Sequence, residues 1–204
     1  MTMRSLIAFF PLLVLVAGCS KETPKKEDTP ELITRATLTF APVGSGLNVV
    51  VSATDPDGEG VQNIAADGPI NLTAGTTYVL TIQLINGLVS PGAAGYDLSQ
   101  EVAEEGHEHQ FFFSWSDPTV FSNPTGNGNI DSAADPVNYT GGPHSKDANG
   151  RPLGLSTTWT TKGSGPSTGS FRLVLKHQPN LKSDTSDATV GETDLDLTFT
   201  LNLP

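Results

Sequence analysis

The chain has one cysteine, Cys19, in 204 residues. That excludes an internal disulfide and any cysteine-rich zinc module. Charge is scarce and one-sided: 16% of residues are charged, with 11 basic against 22 acidic side chains and a net charge of −11. A surface of that sign repels a phosphate backbone, so nucleic acid is excluded as a partner. Between Arg35 and Lys146 there is no Lys or Arg, while twelve Asp or Glu fall in the interval. Such a stretch serves solubility or attracts cations. Ala, Leu, Glu and Lys are too few for long amphipathic helices, and no segment keeps a 3.6-residue apolar period, so a helical bundle is excluded. There is no run long enough to span a bilayer as a helix, which needs about 20 apolar residues. Neither a nucleophile elbow, a His-Glu-x-x-His helix nor a phosphate-cradling Gly loop is read here, and no enzymatic role is expected. Thr, Ser, Asn, Gly and Pro fill the space instead, with 21 Gly and 15 Pro. That composition is rich in turns but below the level of a disordered low-complexity chain.

What is present begins at the N-terminus. Met1–Gly18 reads as an export signal: Arg4 is the positive start, and Leu6–Val16 is an apolar run interrupted only by Pro11. The run ends in Val16-Ala17-Gly18-Cys19, which resembles the lipobox of bacterial lipoproteins. The resemblance implies diacylation of the Cys19 thiol, cleavage before it and acylation of the new amino terminus. Several acyl chains make a stable membrane anchor where one would be marginal. Ser20, rather than Asp, after Cys19 implies sorting to the outer membrane. Residues 19–32 are charged, hold two Pro and lack apolar periodicity, so they form a lipidated tether. The folded domain is expected over 33–204.

From Thr34 onward apolar residues alternate with polar ones, and turn signals separate the runs. Ala36, Leu38 and Phe40 make one run; Leu47, Val49 and Val51 a second, closed by Asp55-Pro56-Asp57-Gly58. Tyr78, Leu80, Ile82 and Leu84 share a face, as do Phe111, Phe113 and Trp115 in a strand from His109 to Ser116. Trp159 sits in the run 155–161; Phe171, Leu173 and Leu175 make the next strand, and Leu195, Leu197, Phe199 and Leu201 the last. One apolar and one polar face per strand predicts an all-β, antiparallel β-sandwich, Ig-like, in a single domain. Residues 86–106 are a connection with a short helical turn. Residues 123–154 form a loop far longer than usual, a length that marks function or mobility.

The segment richest in chemistry is Glu104-Glu105-Gly106-His107-Glu108-His109-Gln110. The chain has four His, and two of them are one residue apart here. With a strand starting at His107, both imidazoles extend the line of Phe111, Phe113 and Trp115 and can share one ion at about 2.0–2.1 Å. His177 ends a strand in the parity of Phe171, Leu173 and Leu175, and converges with the pair if the two strands are neighbours. Glu105 supplies a carboxylate, and His144 in the long loop is a weaker candidate. The expected metal ligands are therefore His107, His109, His177 and Glu105, with the His pair as plain surface residues the opposing interpretation. Zinc is the default ion for imidazole with carboxylate. Release on acidification follows from imidazole protonation near its ordinary pKa of about 6.5. Asp55-x-Asp57-Gly58-Glu59 and Asp147-x-Asn149-Gly150 resemble the start of a calcium loop but lack the distal Glu, so calcium ranks below zinc. A structural or glycan-binding accessory is the rival, with Trp159, Tyr139 and Phe121 as the aromatics that could stack on sugar.

Taken as a series, EVAEEGHEHQFFFSW, FSNPTGNGNID, LSTTWTT and FRLVLKHQPNLK resemble a group of small Bacteroidota lipoproteins whose members are encoded beside TonB-dependent outer-membrane receptors. The likeness runs from about Thr34 to Leu203. It implies an envelope role, handing a ligand or metal to such a receptor. Lys21-Glu22 only partly matches the acidic signal for surface display, which leaves open whether the periplasmic or the surface leaflet carries the anchor.

Overall fold

The computed structural model describes residues 31–58, 63–131 and 136–204. The signal segment 1–18, the acylation site Cys19, the tether up to residue 30 and Glu59 of the first calcium-like fragment lie outside the described residues. In chain order the strands are β1 (Arg35–Pro42), β2 (Val49–Thr54), β3 (Ala65–Ala66), β4 (Ile70–Asn71), β5 (Thr77–Ile85), β6 (His109–Trp115), β7 (Phe121–Asn123), β8 (Ser156–Thr161), β9 (Ser167–His177) and β10 (Glu192–Leu203). A short helix, α1 (Leu98–Glu104), lies between β5 and β6. The strands form two packed sheets, one ordered β3-β2-β1-β5-β8-β7 and the other β4-β10-β9-β6. All pairings are antiparallel except the short one between β4 and β10. This is the all-β sandwich that the alternation of apolar and polar residues predicts.

The alternation is clearest in β5 and β10. In β5 the side chains of Tyr78, Leu80, Ile82 and Leu84 are buried, with Thr81 and Gln83 exposed between them. In β10, Leu195, Leu197, Phe199, Leu201 and Leu203 are buried while the residues between them are largely exposed. The inner faces meet on aromatic rings. Trp159 of the first sheet lies 5.4 Å from Phe113 and 5.1 Å from Phe171 of the second, edge-on in both cases. That tilt suits the ring quadrupoles. Trp115 and Phe121 close the same cluster at 5.3 and 4.9 Å from Trp159.

Two local expectations are corrected. Leu47 is not a strand residue: β2 begins at Val49, and Leu47 stands 91% exposed in the turn after β1. Strand β6 does not have a polar face, because Gln110 and Phe112 are buried as fully as Phe111 and Phe113. The cause lies partly in the long loop, whose described residues dock on the free edge of β6. Asn129 accepts a hydrogen bond from the Phe113 amide at 2.9 Å. The buried Tyr139 hydroxyl donates to the Phe111 carbonyl at 2.8 Å and accepts from the Asn129 amide group. At Gly128, with φ of +96°, an added Cβ would collide with the Phe113 carbonyl, so glycine alone lets the loop come this close.

Candidate functional site

The site sits where β6 begins, at the end of the sandwich where the described chain starts. Asp97 caps α1 by accepting from the Ser99 amide at 3.1 Å. The helix stops at Glu104, and the chain folds into a turn over 105–108, closed by the Glu108 amide donating to the Glu105 carbonyl at 2.8 Å. Gly106 fits this turn because a Cβ there would press on Leu153, Asp147 and the Ala103 carbonyl. Lys182 fastens the turn from the other side, its Nζ donating to the carbonyls of Gly106 at 2.6 Å and His109 at 2.8 Å. Its charge is met by Asp147 at 3.0 Å, with both side chains essentially sealed from solvent. Burial lowers the Lys182 pKa, only partly offset by Asp147. For Asp147 burial works against the charge, but Lys182 and the Arg151 and Asn149 amides outweigh it and hold the carboxyl below its ordinary value.

This turn divides the four ligands expected from the sequence. The strand starts at His109, not at His107, so His107 lies in the turn with its side chain 59% exposed and does not share the face of His109. β6 and β9 are neighbours, as the convergence of His109 with His177 requires. They pair in a register that sets the two residues directly opposite, with their rings stacked at 4.7 Å. The His177 Nε2, however, turns toward Glu108 at 3.6 Å, and the His107 Nε2 approaches the same carboxylate at 3.4 Å. Glu105 and His109 come together instead with a residue assigned to the tether, Glu31. Ligand atoms of Glu31, Glu105 and His109 lie within 4.8 Å of one another, Glu105 and His109 flanking one turn and Glu31 on the chain leading into β1.

The imidazole of His109 is buried, 1% exposed. Its Nδ1 lies 3.2 Å from the Glu105 carbonyl oxygen. A carbonyl can only accept, so Nδ1 carries a hydrogen in this contact and Nε2 faces the acidic side of the site. There it meets Asp194, whose Oδ2 is 3.6 Å away and whose side chain is 0% exposed. Asp194 reaches this position through a bulge: Thr193 pairs with Lys176 and Leu195 with Leu175, so Asp194 is the extra residue and is turned inward. Burial pushes its carboxyl up to about 6. The His177 charge pulls the other way, the Glu31 carboxylate adds to the rise, the Glu31 main-chain amide eases it slightly, and Glu192 adds a little more. Neither Asp194 oxygen accepts a well-formed hydrogen bond.

The remaining candidates are accounted for elsewhere. His144 joins none of the other His; it stands at φ +57° and lines an open groove of about 520 Å³ with Asp97, Gln100, Glu104 and Leu155. Asp55 Oδ1 accepts from the Asp57 and Gly58 amides, and Asp147 Oδ1 from those of Asn149 and Arg151. Both calcium-like fragments thus use a carboxylate oxygen to close their own turn. Trp159, Tyr139 and Phe121 are buried and offer no stacking face to a sugar. Gly165-Pro166-Ser167-Thr168-Gly169 does spell the Gly-x-Ser-x-Gly pattern, contrary to the sequence reading. It feeds the extended strand β9 and not a strand-to-helix elbow, and the Ser167 hydroxyl donates to Asp117 rather than to an imidazole. Among the described residues no helix is long and apolar enough to cross a membrane. No protein-family model matches the chain, and no curated protein or solved structure matches it.

Sequence reasoning missed Glu31 and Asp194. Glu31 carried no signal beyond its charge at the edge of the tether. Asp194 sits in an alternating run, Thr193-Asp194-Leu195-Asp196-Leu197, that assigns it to the outer face unless the bulge is known.

Proposed function

We propose that the chain is a lipid-anchored outer-membrane protein that binds a divalent transition metal, zinc in the first instance, at Glu31, Glu105 and His109. Its role in the envelope is acquisition or buffering of that metal beside a TonB-dependent receptor, as the resemblance to Bacteroidota lipoproteins implies, with Cys19 as the acylated residue. The observation that carries the metal reading is the meeting of two carboxylates and one buried imidazole within 4.8 Å. Imidazole with carboxylate suits zinc, and the backbone contact at Nδ1 supplies the orienting hydrogen bond that metal-bound histidines use. This donor set replaces the one read from the sequence: His107 and His177 lean on Glu108 and are left out of it.

The test is elemental analysis of the chain purified without affinity tags or chelators, beside His109→Ala. About one equivalent of zinc in the parent, lost in the variant, is the expected result. Absence of metal from both, after dialysis against zinc, overturns the reading.

A further inference from the structure

We infer that Asp194 is the fourth donor of this site, so that the ion is held by one imidazole and three carboxylates; the inference rests on the reading of Glu31, Glu105 and His109 as metal ligands. Three observations carry it. The Asp194 side chain is wholly buried, yet neither of its oxygens accepts a well-formed hydrogen bond. A carboxylate in that situation is costly unless a cation or a proton joins it. Its Oδ2 lies 3.6 Å from His109 Nε2. That is too long for a good hydrogen bond. It is close to the roughly 3.3–3.4 Å that separates two donors each about 2.0–2.1 Å from one tetrahedral ion. Finally, the residue is inserted by a bulge that interrupts an otherwise regular pairing of β9 with β10, a device that re-aims single side chains at sites.

The surrounding charges agree. The Glu31 and Glu192 carboxylates both add to the negative field on Asp194, and His177 and the Glu31 main-chain amide oppose it. Lys182, which reaches the same turn, is taken up by Asp147 and by the carbonyls of Gly106 and His109. A divalent ion supplies the missing positive charge. An oxygen-rich set with one nitrogen suits zinc or manganese, and lacks the thiolate and thioether ligands that cuprous copper prefers.

The experiment titrates zinc, and cobalt(II) as a visible-absorbing stand-in, into the full chain in detergent and into Asp194→Asn, His109→Ala and Glu105→Gln. Asp194→Asn keeps the shape of the side chain while removing its charge. The expected result is a loss of at least tenfold in zinc affinity for Asp194→Asn, in line with the 10–100-fold that metal-site partners command. Its cobalt spectrum should differ from that of the parent, since one ligand has changed. The metal-free melting temperature should not fall, which separates loss of a ligand from loss of fold. Parent-like affinity and cobalt spectrum in Asp194→Asn, with binding abolished in His109→Ala, would overturn the donor role and leave the site standing. A fall in metal-free stability with unchanged metal affinity would also overturn it, making Asp194 a structural partner of His109. No binding to the parent chain would remove the site itself and the inference with it.

Discussion

Asparagine at position 194 should make the metal-free chain more stable near neutral pH. Burial raises the Asp194 carboxyl from 3.8 to about 6. A shift of that size, at about 1.4 kcal/mol per unit, means the folded state disfavours the ionised form by about 3 kcal/mol. Asparagine has no such charge, but it buries an amide with incomplete partners, which costs about 1–2 kcal/mol. The net gain at pH 7.5 is then about 1–2 kcal/mol, or about 2–8 °C in melting temperature for a chain of this size. The sign with pH follows from proton counting. Below about pH 4 both folded and unfolded Asp194 are protonated, and the penalty vanishes. Between about 4 and 6 the folded chain keeps a proton that the unfolded chain has lost, so stability falls as pH rises. Above about 6 the penalty is complete. The advantage of Asp194→Asn should therefore be absent at pH 4, grow through pH 5.5 and level off by pH 7.5. Urea unfolding with a chelator present, at those three values, measures it. A variant less stable at pH 7.5, or a difference that does not change with pH, would show that the folded chain accommodates the Asp194 charge and that the reasoning from burial is wrong.

Other outcomes follow from the supports around the site. Lys182→Met leaves Asp147 buried without its counter-charge and two carbonyls without a donor, so a loss of about 3–5 kcal/mol in urea unfolding is expected. Tyr139→Phe removes the hydroxyl that ties the long loop to Phe111, at an expected cost of about 1–2 kcal/mol. In an ultraviolet pH titration the parent should show a tyrosine ionising at about 12, raised by burial against the pull of its Asn129 and Gln110 hydrogen bonds, and the variant should lack it.

Much of this architecture can be read from the chain because strands such as β5 and β10 obey a period of two. Tyr78 to Leu84 and Leu195 to Leu203 needed no tertiary information to be assigned a buried face. Parity put His177 in line with Phe171, Leu173 and Leu175, but that β6 and β9 are neighbours, with His109 opposite His177, is decided by the tertiary fold. What escaped depends on breaks in periodicity. Whether the strand begins at His107 or His109 is decided by a turn whose stability comes from Lys182, more than seventy residues away. The inward aim of Asp194 depends on a single inserted residue, which flips one side chain while leaving the alternation of Leu195 and Leu197 intact. Glu31 belongs to the site only because the chain leading into β1 passes the turn after α1. No local pattern encodes such a crossing.

The presence of Glu31 in the cluster also sets a leash. If Cys19 is acylated and Glu31 holds the ion, as proposed, about twelve residues separate the lipid from a ligand of the ion, a contour of about 40 Å at full extension. A bound metal could not drift farther than that from the bilayer, however freely the sandwich tumbles. Any receptor inside this radius would meet the cargo at the millimolar effective concentration typical of short tethers, without a docking surface of its own on the sandwich. Transfer would then depend on the number of residues between Cys19 and Glu31 more than on their identity.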